Sequence, residues 1–294
     1  MYKKHWLFVL TTFLLGNSHT VMAQVLAEAV TEIKIPLVAK PTSRPMTVAY
    51  MPDYRRYYIA DGGHSAMMNE MGIVASDSEV RAYSDKGVYL QVVKPNLDNR
   101  SIYYNPLSQR LESITYNVSS WAGFTPNTGI FALALDGSGG LTGDADTIMG
   151  QNPAFGCVGT IPSFDPAGNR YYAKQERSNK VLVVKPDSRD PVAEIDLDLD
   201  AAGVKNDDVS DGFAAYTGVA GEELALLDVD HKAILVFDRK GKFVGRSALP
   251  KGMKLRANNH YSGLGYTNGL FFVYHEPEGA FGTYYGFRFL DGAG

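Results

Sequence analysis

Four histidines lie beyond residue 23, and each stands at a loop rather than inside an apolar run. His64 sits in "DGGHSAMMNEMGIVASDSE", His231 in "DVDHK", His260 in "NNHYSG" and His275 in "FFVYHEPEGA". Carboxylates accompany them: Asp61 is three residues before His64, Asp211 lies in "DDVSDGF", Asp228 and Asp230 surround the "DVDHK" turn, and Glu276 follows His275. Imidazole beside carboxylate serves two chemistries, coordination of a divalent ion and general acid–base transfer. Adding the amide side chains of Asn99 and Asn259 makes the set richer in oxygen, which suits calcium in particular.

Such groups act only if strands hold them together, and the strand pattern is repetitive. An aromatic residue near the end of an expected strand recurs at Tyr50, Tyr104, Phe164, Tyr216 and Tyr266, at intervals of 54, 60, 52 and 50 residues. The residue before a later turn recurs at Tyr83, Leu135, Val184, Phe237 and Phe289, at intervals of 52, 49, 53 and 52. Within each repeat the apolar residues alternate with period two, and no amphipathic helix of useful length appears. Five copies of a four-stranded unit predict an all-β fold, a five-bladed β-propeller of four-stranded antiparallel blades. The blades fall at about 47–93, 101–141, 160–197, 212–249 and 262–291. The last copy offers three strands, while "TEIKIPLV" (31–38) is a spare strand near the start. Placing it in the fifth blade closes the ring and leaves no open edge.

The segments "DHKAILVFDRKGKFVG", "NKVLVVKPDSRDPVAEI" and "SEVRAYSDKGVYLQVV" resemble the NHL and YVTN-type propeller repeats. The resemblance implies a ring whose first strands line a central channel. It also implies one rim shared by the loops entering those strands and the loops between second and third strands. All four histidines fall on that rim. Asn99, Asp211, Asn259 and His260 directly precede inner strands and are expected nearest the axis, with Asp211 and His260 as the candidate metal pair. Each group also has an ordinary structural reading: His231 holds a turn, His64 is exposed in a Gly-rich loop, and His275-Glu276 shapes a turn ahead of Pro277.

The two longest rim loops are 62–78 and 117–128. The first carries Met67 and Met68, soft residues that cover ligands, and the second carries Trp121 and Phe124. These four are candidate partner-surface residues, or else they pack on one another.

The remaining features bound the function. Lys3 and Lys4, an apolar run from Trp6 to Leu15, and Val21-Met22-Ala23 before Gln24 read as a secretory signal over 1–23, leaving a single domain over 24–294. The expected location is the periplasm or outside the cell. No later run of about 18 apolar residues appears, so no membrane insertion is expected. A net charge of −4 argues against a nucleic-acid partner. The lone Cys157 cannot form an intrachain disulfide and reads as a small buried residue. Phosphate-binding, GxSxG and HExxH motifs are absent. Among the inner strands only Asp165 is acidic, so the paired carboxylates of glycoside hydrolysis are missing. "DLDLD" (196–200) reads as a strand with outward carboxylates.

Two functions follow. The first is a monomeric exported binding or scaffold protein that holds a small molecule, a glycan or a protein on one rim, with a divalent cation such as calcium as an option. The alternative is a lactonase- or lyase-like hydrolase in which a cation at the channel mouth polarises a carbonyl. Asp211 and His260 then serve as its ligands or as the base.

Overall fold

The computed structural model describes residues 24–41, 44–62, 68–69, 72–73, 78–115, 128–150, 152–157, 159–276 and 281–291. Strands dominate, and no helix among the described residues is long and apolar enough to cross a membrane.

The described strands form three four-stranded antiparallel sheets, one eight-stranded sheet and a two-stranded hairpin, and in chain order they fall into four-stranded units. The first comprises Arg44–Met51, Arg56–Gly62, Val80–Ser84 and Tyr89–Val93. The second comprises Asn99–Asn105, Arg110–Thr115, Gly129–Leu135 and Leu141–Gly150. The third comprises Ser163–Asp165, Arg170–Lys174, Lys180–Val184 and Ala193–Asp196. The fourth comprises Ala215–Tyr216, Leu224–Asp228, Ala233–Phe237 and Phe243–Ala248. The fifth comprises Leu264–Thr267, Leu270–His275 and Thr283–Asp291, with Gln24–Pro36 as its outer strand. That outer strand runs antiparallel to the last one, pairing Ile33 with Gly286 and Pro36 with Thr283.

Three differences from the sequence expectations have local causes. The closing strand starts earlier than 31–38, and a register shift between Val25 and Val30 interrupts its pairing with the last strand next to the fourth unit. There Glu28 pairs in parallel with Ala248, so the fourth and fifth units form one eight-stranded sheet instead of two. The second unit does not end near 141 in a short tail, because Leu141–Gly150 continues as a ten-residue strand. "DLDLD" is not all strand either. Asp198 caps a short helix, Leu199–Ala202, by accepting the Ala201 N–H.

Turn chemistry explains why the first two strands of four of the units meet. Pro52, Pro106 and Pro166 open four-residue turns, and Arg55, Gln109 and Asn169 close them in the left-handed region, at φ of 51°, 57° and 44°. Asn268 takes the same conformation in the fifth unit.

The first strands lie against one another in chain order, and the fifth returns to the first. Hydrogen bonds stitch every junction of this inner ring. The Thr47 hydroxyl oxygen accepts the Ile102 N–H at 2.6 Å. Ser101 donates to Pro162 O at 2.5 Å, and Ser163 donates to Ala214 O at 2.7 Å. The Asp211 N–H meets His260 O at 2.5 Å, and the Gly263 N–H meets Pro45 O at 2.7 Å. The strands approach so closely that a Cβ on Gly265 would stand 2.9 Å from the Val48 nitrogen. The result is a propeller-like β architecture.

The core lies between units rather than within them. Tyr172, Val181 and Val183 meet Leu224, Leu226 and Leu235 between the third and fourth units. Phe155, Phe164 and Tyr171 meet Ile114 and Ile130 between the second and third. Ile35, Tyr274 and Tyr284 meet Val48 and Tyr57 between the fifth and first. A larger cluster serves the two remaining junctions, with Tyr58, Leu111 and Leu133 on one side and Leu227, Phe271 and Phe287 on the other.

Candidate functional site

The ring has two faces. The loop face carries the segments entering the inner strands and the connections between second and third strands. The turn face carries the Pro-initiated turns. Most of the sequence-predicted groups lie on the loop face, where their side chains are occupied by the fold itself.

Asp61 ends the second strand of the first unit and is 2% exposed. Its carboxylate accepts the Glu79 N–H at 2.6 Å and meets Arg81 Nη1 at 2.9 Å. The Asp61 carbonyl accepts the Ser78 hydroxyl, and Arg81 reaches Glu79 with its other amino group. Beside this lattice, the Asn99 amide donates to Ser78 Oγ at 3.0 Å and to Leu97 O at 3.2 Å, and its oxygen accepts the Ser113 hydroxyl at 2.8 Å. Asn99 is therefore fully engaged. Its neighbours Asp98 and Arg100 pair through a single carboxylate oxygen, with Arg100 Nη2 at 2.8 Å and Nε at 3.2 Å.

Asp211 and His260 do come together, but through the backbone, by the Asp211 N–H to His260 O bond. The Asp211 carboxylate accepts the Arg177 N–H, whereas the His260 ring places Nδ1 3.1 Å from Val209 O and Nε2 3.6 Å from Asp230. Bonding Nδ1–H to a carbonyl leaves the lone pair on Nε2. Among the described residues, no three His, Cys, Asp or Glu side chains converge as a metal would need. Asn259 donates to Tyr274 O and accepts the Arg256 N–H, each at 2.9 Å. Glu276 lies 3.8 Å from Arg256. Both ring nitrogens of His275 are buried without a partner among the described residues, and the ring stacks on Tyr285 at 5.4 Å. Burial, then Lys254 and Lys34, lower its pKa. His231 holds its turn, with Nδ1 3.0 Å from the buried Asp228 carboxylate.

His64, Met67, Trp121 and Phe124 lie outside the described residues. Met68 belongs to Met68–Asn69, which pairs with Gly72–Ile73 in a small hairpin within the first long loop.

Sequence reasoning missed Lys174. Its ammonium is fully buried and donates to Ser178 O at 2.6 Å, Asp211 O at 3.0 Å and Gln175 O at 3.3 Å. All three donors are used, and Lys174 ties the third unit to the segment entering the fourth. Burial lowers its pKa to about 8, against the opposing pull of the Asp211 carboxylate and Cys157. The available signal was the alternation in "RYYAK", which places Lys174 on the same side as the buried Tyr172.

The axis was missed as well. A cavity of 80 Å³ is lined by all five inner strands, with Ser101, Ser163 and Thr267 contributing hydroxyls and Tyr104, Tyr216 and Tyr266 contributing rings. That volume holds roughly six waters at ~10–15 Å³ each. Four of the five recurring aromatics, which served only to mark the period, are wall residues of this cavity. Behind them stands a second layer: Tyr172 stacks on Tyr216 at 4.9 Å, Tyr171 lies 5.0 Å from Phe164, and Phe289 lies 6.1 Å from Tyr266.

No protein-family model matches the chain, and no curated protein matches it by sequence. The NHL-type resemblance thus rests on the strand-and-turn pattern itself. By backbone shape the chain is similar to a protein of unknown function from Bacteroides thetaiotaomicron (11% identity, 76% of this chain, 48% of that one, TM-score 0.41). It is similar to an auxiliary nutrient binding protein from Bacteroides ovatus (12% identity, 76% and 48%, TM-score 0.41). It is also similar to a gluconolactonase from Xanthomonas campestris (12% identity, 90% and 97%, TM-score 0.43). The chain spans about half the length of the two Bacteroides proteins.

Proposed function

We propose that this chain is a five-bladed β-propeller that works as an exported binding protein, with the two long loops of its loop face as the recognition surface. The observation that carries the reading is how the bases of those loops are fixed. The first loop leaves from Gly62 and returns by Ser78, and the Asp61 clamp locks both ends to Glu79 and Arg81. The second loop leaves from Thr115, whose hydroxyl oxygen accepts the Gly129 N–H at 2.9 Å where the chain returns. Function commonly resides in loops held by a rigid scaffold, because the scaffold fixes their ends and their sequence is otherwise free. Asp61 and Asn99 beneath the loops are engaged by the fold, which supports assigning recognition to the loops themselves. The ligand classes that suit Met-bearing and Trp-bearing loops are a small molecule, a glycan or a protein surface.

The test replaces residues 63–77, and separately 116–127, with a two-residue Asn-Gly turn, the connection that closes a two-stranded hairpin. A library of glycans and uncharged metabolites is then screened by thermal shift against the parent and both variants. The expected result is that both variants melt cooperatively near the parent and lose the parent's hits. Hits retained by both shortened variants would overturn the assignment.

A further inference from the structure

The axial cavity is lined by residues of the inner strands and of the segments just before them, and the chemistry of its wall is specific. Each hydroxyl contributed by Thr47, Ser101 and Ser163 donates its proton to a carbonyl across the ring, namely Ile102 O, Pro162 O and Ala214 O. Their oxygens can therefore only accept from an occupant of the cavity. Tyr104, Tyr216 and Tyr266 add aromatic rings, whose faces carry negative electrostatic potential. None of the residues lining the cavity is basic or acidic. Asp165, a carboxylate that acts on the wall ring Tyr216, is paired with Arg170 Nε at 2.8 Å. The second aromatic layer packs on Tyr216, Phe164 and Tyr266. The lining carries no formal charge, and the oxygens of Thr47, Ser101 and Ser163 together with the tyrosine ring faces offer electron density to an occupant.

From this wall we infer that the cavity is a binding site for a small organic cation, an ammonium or methylated ammonium head. Such a head is held by cation–π attraction to the tyrosines and by contact with the hydroxyl oxygens. A small anion finds no formal positive charge in this lining. A neutral isostere gains only apolar contact and lacks the electrostatic attraction to the ring faces and oxygens. The volume suits the head of the molecule, and any tail leaves through the mouth beside the half-exposed Tyr104 and Tyr266. The chain's net charge of −4 adds a weak attraction of the same sign.

The experiment is calorimetric titration of the full protein with tetramethylammonium and choline, set against the neutral carbon isostere of choline and against sodium chloride at equal ionic strength. Saturable binding of the two cations, with no binding of the isostere, is expected. Tyr104→Leu should weaken cation binding by roughly 3- to 30-fold, the span of one cation–π contact. Tyr104→Phe keeps the ring face and should retain binding, and Tyr266→Leu gives an independent second reading. Equal binding of the neutral isostere, or full affinity in both leucine variants, would overturn the assignment. So would the absence of saturable cation binding. The loop-face proposal stands or falls separately, because shortening either long loop leaves this wall unchanged.

Discussion

Replacing His275 with phenylalanine asks what a buried imidazole does to the fifth unit. A neutral imidazole carries one donor and one acceptor, and here both nitrogens are buried with no partner among the described residues. An unsatisfied buried polar group costs about 1–3 kcal/mol, and an apolar group of the same shape avoids that cost. Phenylalanine keeps the stack on Tyr285, whose other neighbour is the Lys34 ammonium 5.0 Å from the ring centroid. Against this stands the slightly larger ring, and overpacking costs about 1–3 kcal/mol where space is tight. The half-buried site softens that penalty, so His275→Phe should stabilise by about 1 kcal/mol near neutral pH.

The pH dependence supplies a second, independent readout. Burial, Lys254 and Lys34 lower the folded-state pKa of His275 below its ordinary 6.5, and the flanking Glu276 is drawn towards Arg256. A base with a depressed folded-state pKa binds its proton more readily when unfolded. Its contribution is therefore present above pH 6.5 and is lost as pH falls below it. Each unit below that point costs the parent at most ~1.4 kcal/mol from this group. Urea denaturation at roughly pH 7.5 and 5.5 measures both effects. The variant should show a higher midpoint with an unchanged slope, and its advantage should widen at the lower pH. A lower midpoint at both pH values, or an advantage that does not widen, would refute the account of an unpartnered imidazole.

Asp61→Ala should destabilise by about 3–5 kcal/mol, because it leaves a buried Arg81 short of a counter-charge and frees the Glu79 N–H. Asp61→Asn should recover part of the loss, and a denaturation series on the two variants checks this. Deleting residues 24–36 exposes the edge of Thr283–Asp291 and uncovers Tyr284, so the truncated protein should aggregate. Size-exclusion chromatography that returns a soluble monomer would count against closure by this strand. Calcium, magnesium, manganese and zinc, added singly after chelation, should leave the melting temperature unchanged, because Asp211 and Asn259 already have partners. A rise that His260→Ala removes would show that a bound ion stabilises the native state through that ring.

The periodicity of the fold was legible because it is written locally. Strands alternate with period two and Pro-initiated turns recur, so a fixed interval between Tyr50, Tyr104, Phe164, Tyr216 and Tyr266 reports the unit without any knowledge of its neighbours. The partnership of Thr31–Pro36 with the last strand was legible by subtraction, since one unit lacked a strand and one strand lacked a unit. The turn role of His231 was legible for the same local reason, its Asp228 partner being three residues away.

The site was far less legible. A sequence shows which side chains are titratable but not which are already satisfied, and satisfaction here comes from distant residues. Asp211 is engaged by Arg177, 34 residues away, and His260 by Val209, 51 residues away. Lys174 is buried at no local cost that the sequence displays, because the Asp211 carbonyl that completes its shell belongs to the next unit. The axial cavity exists only when five inner strands close on one another. The same aromatic residues that mark the repeat in one dimension become a wall in three. By itself, then, the sequence determined the repeated unit, its strands and its turns, whose causes lie within a few residues. Only the tertiary structure decided which polar groups are occupied and where open space remains, because hydrogen-bond saturation and cavity shape arise from contacts between units.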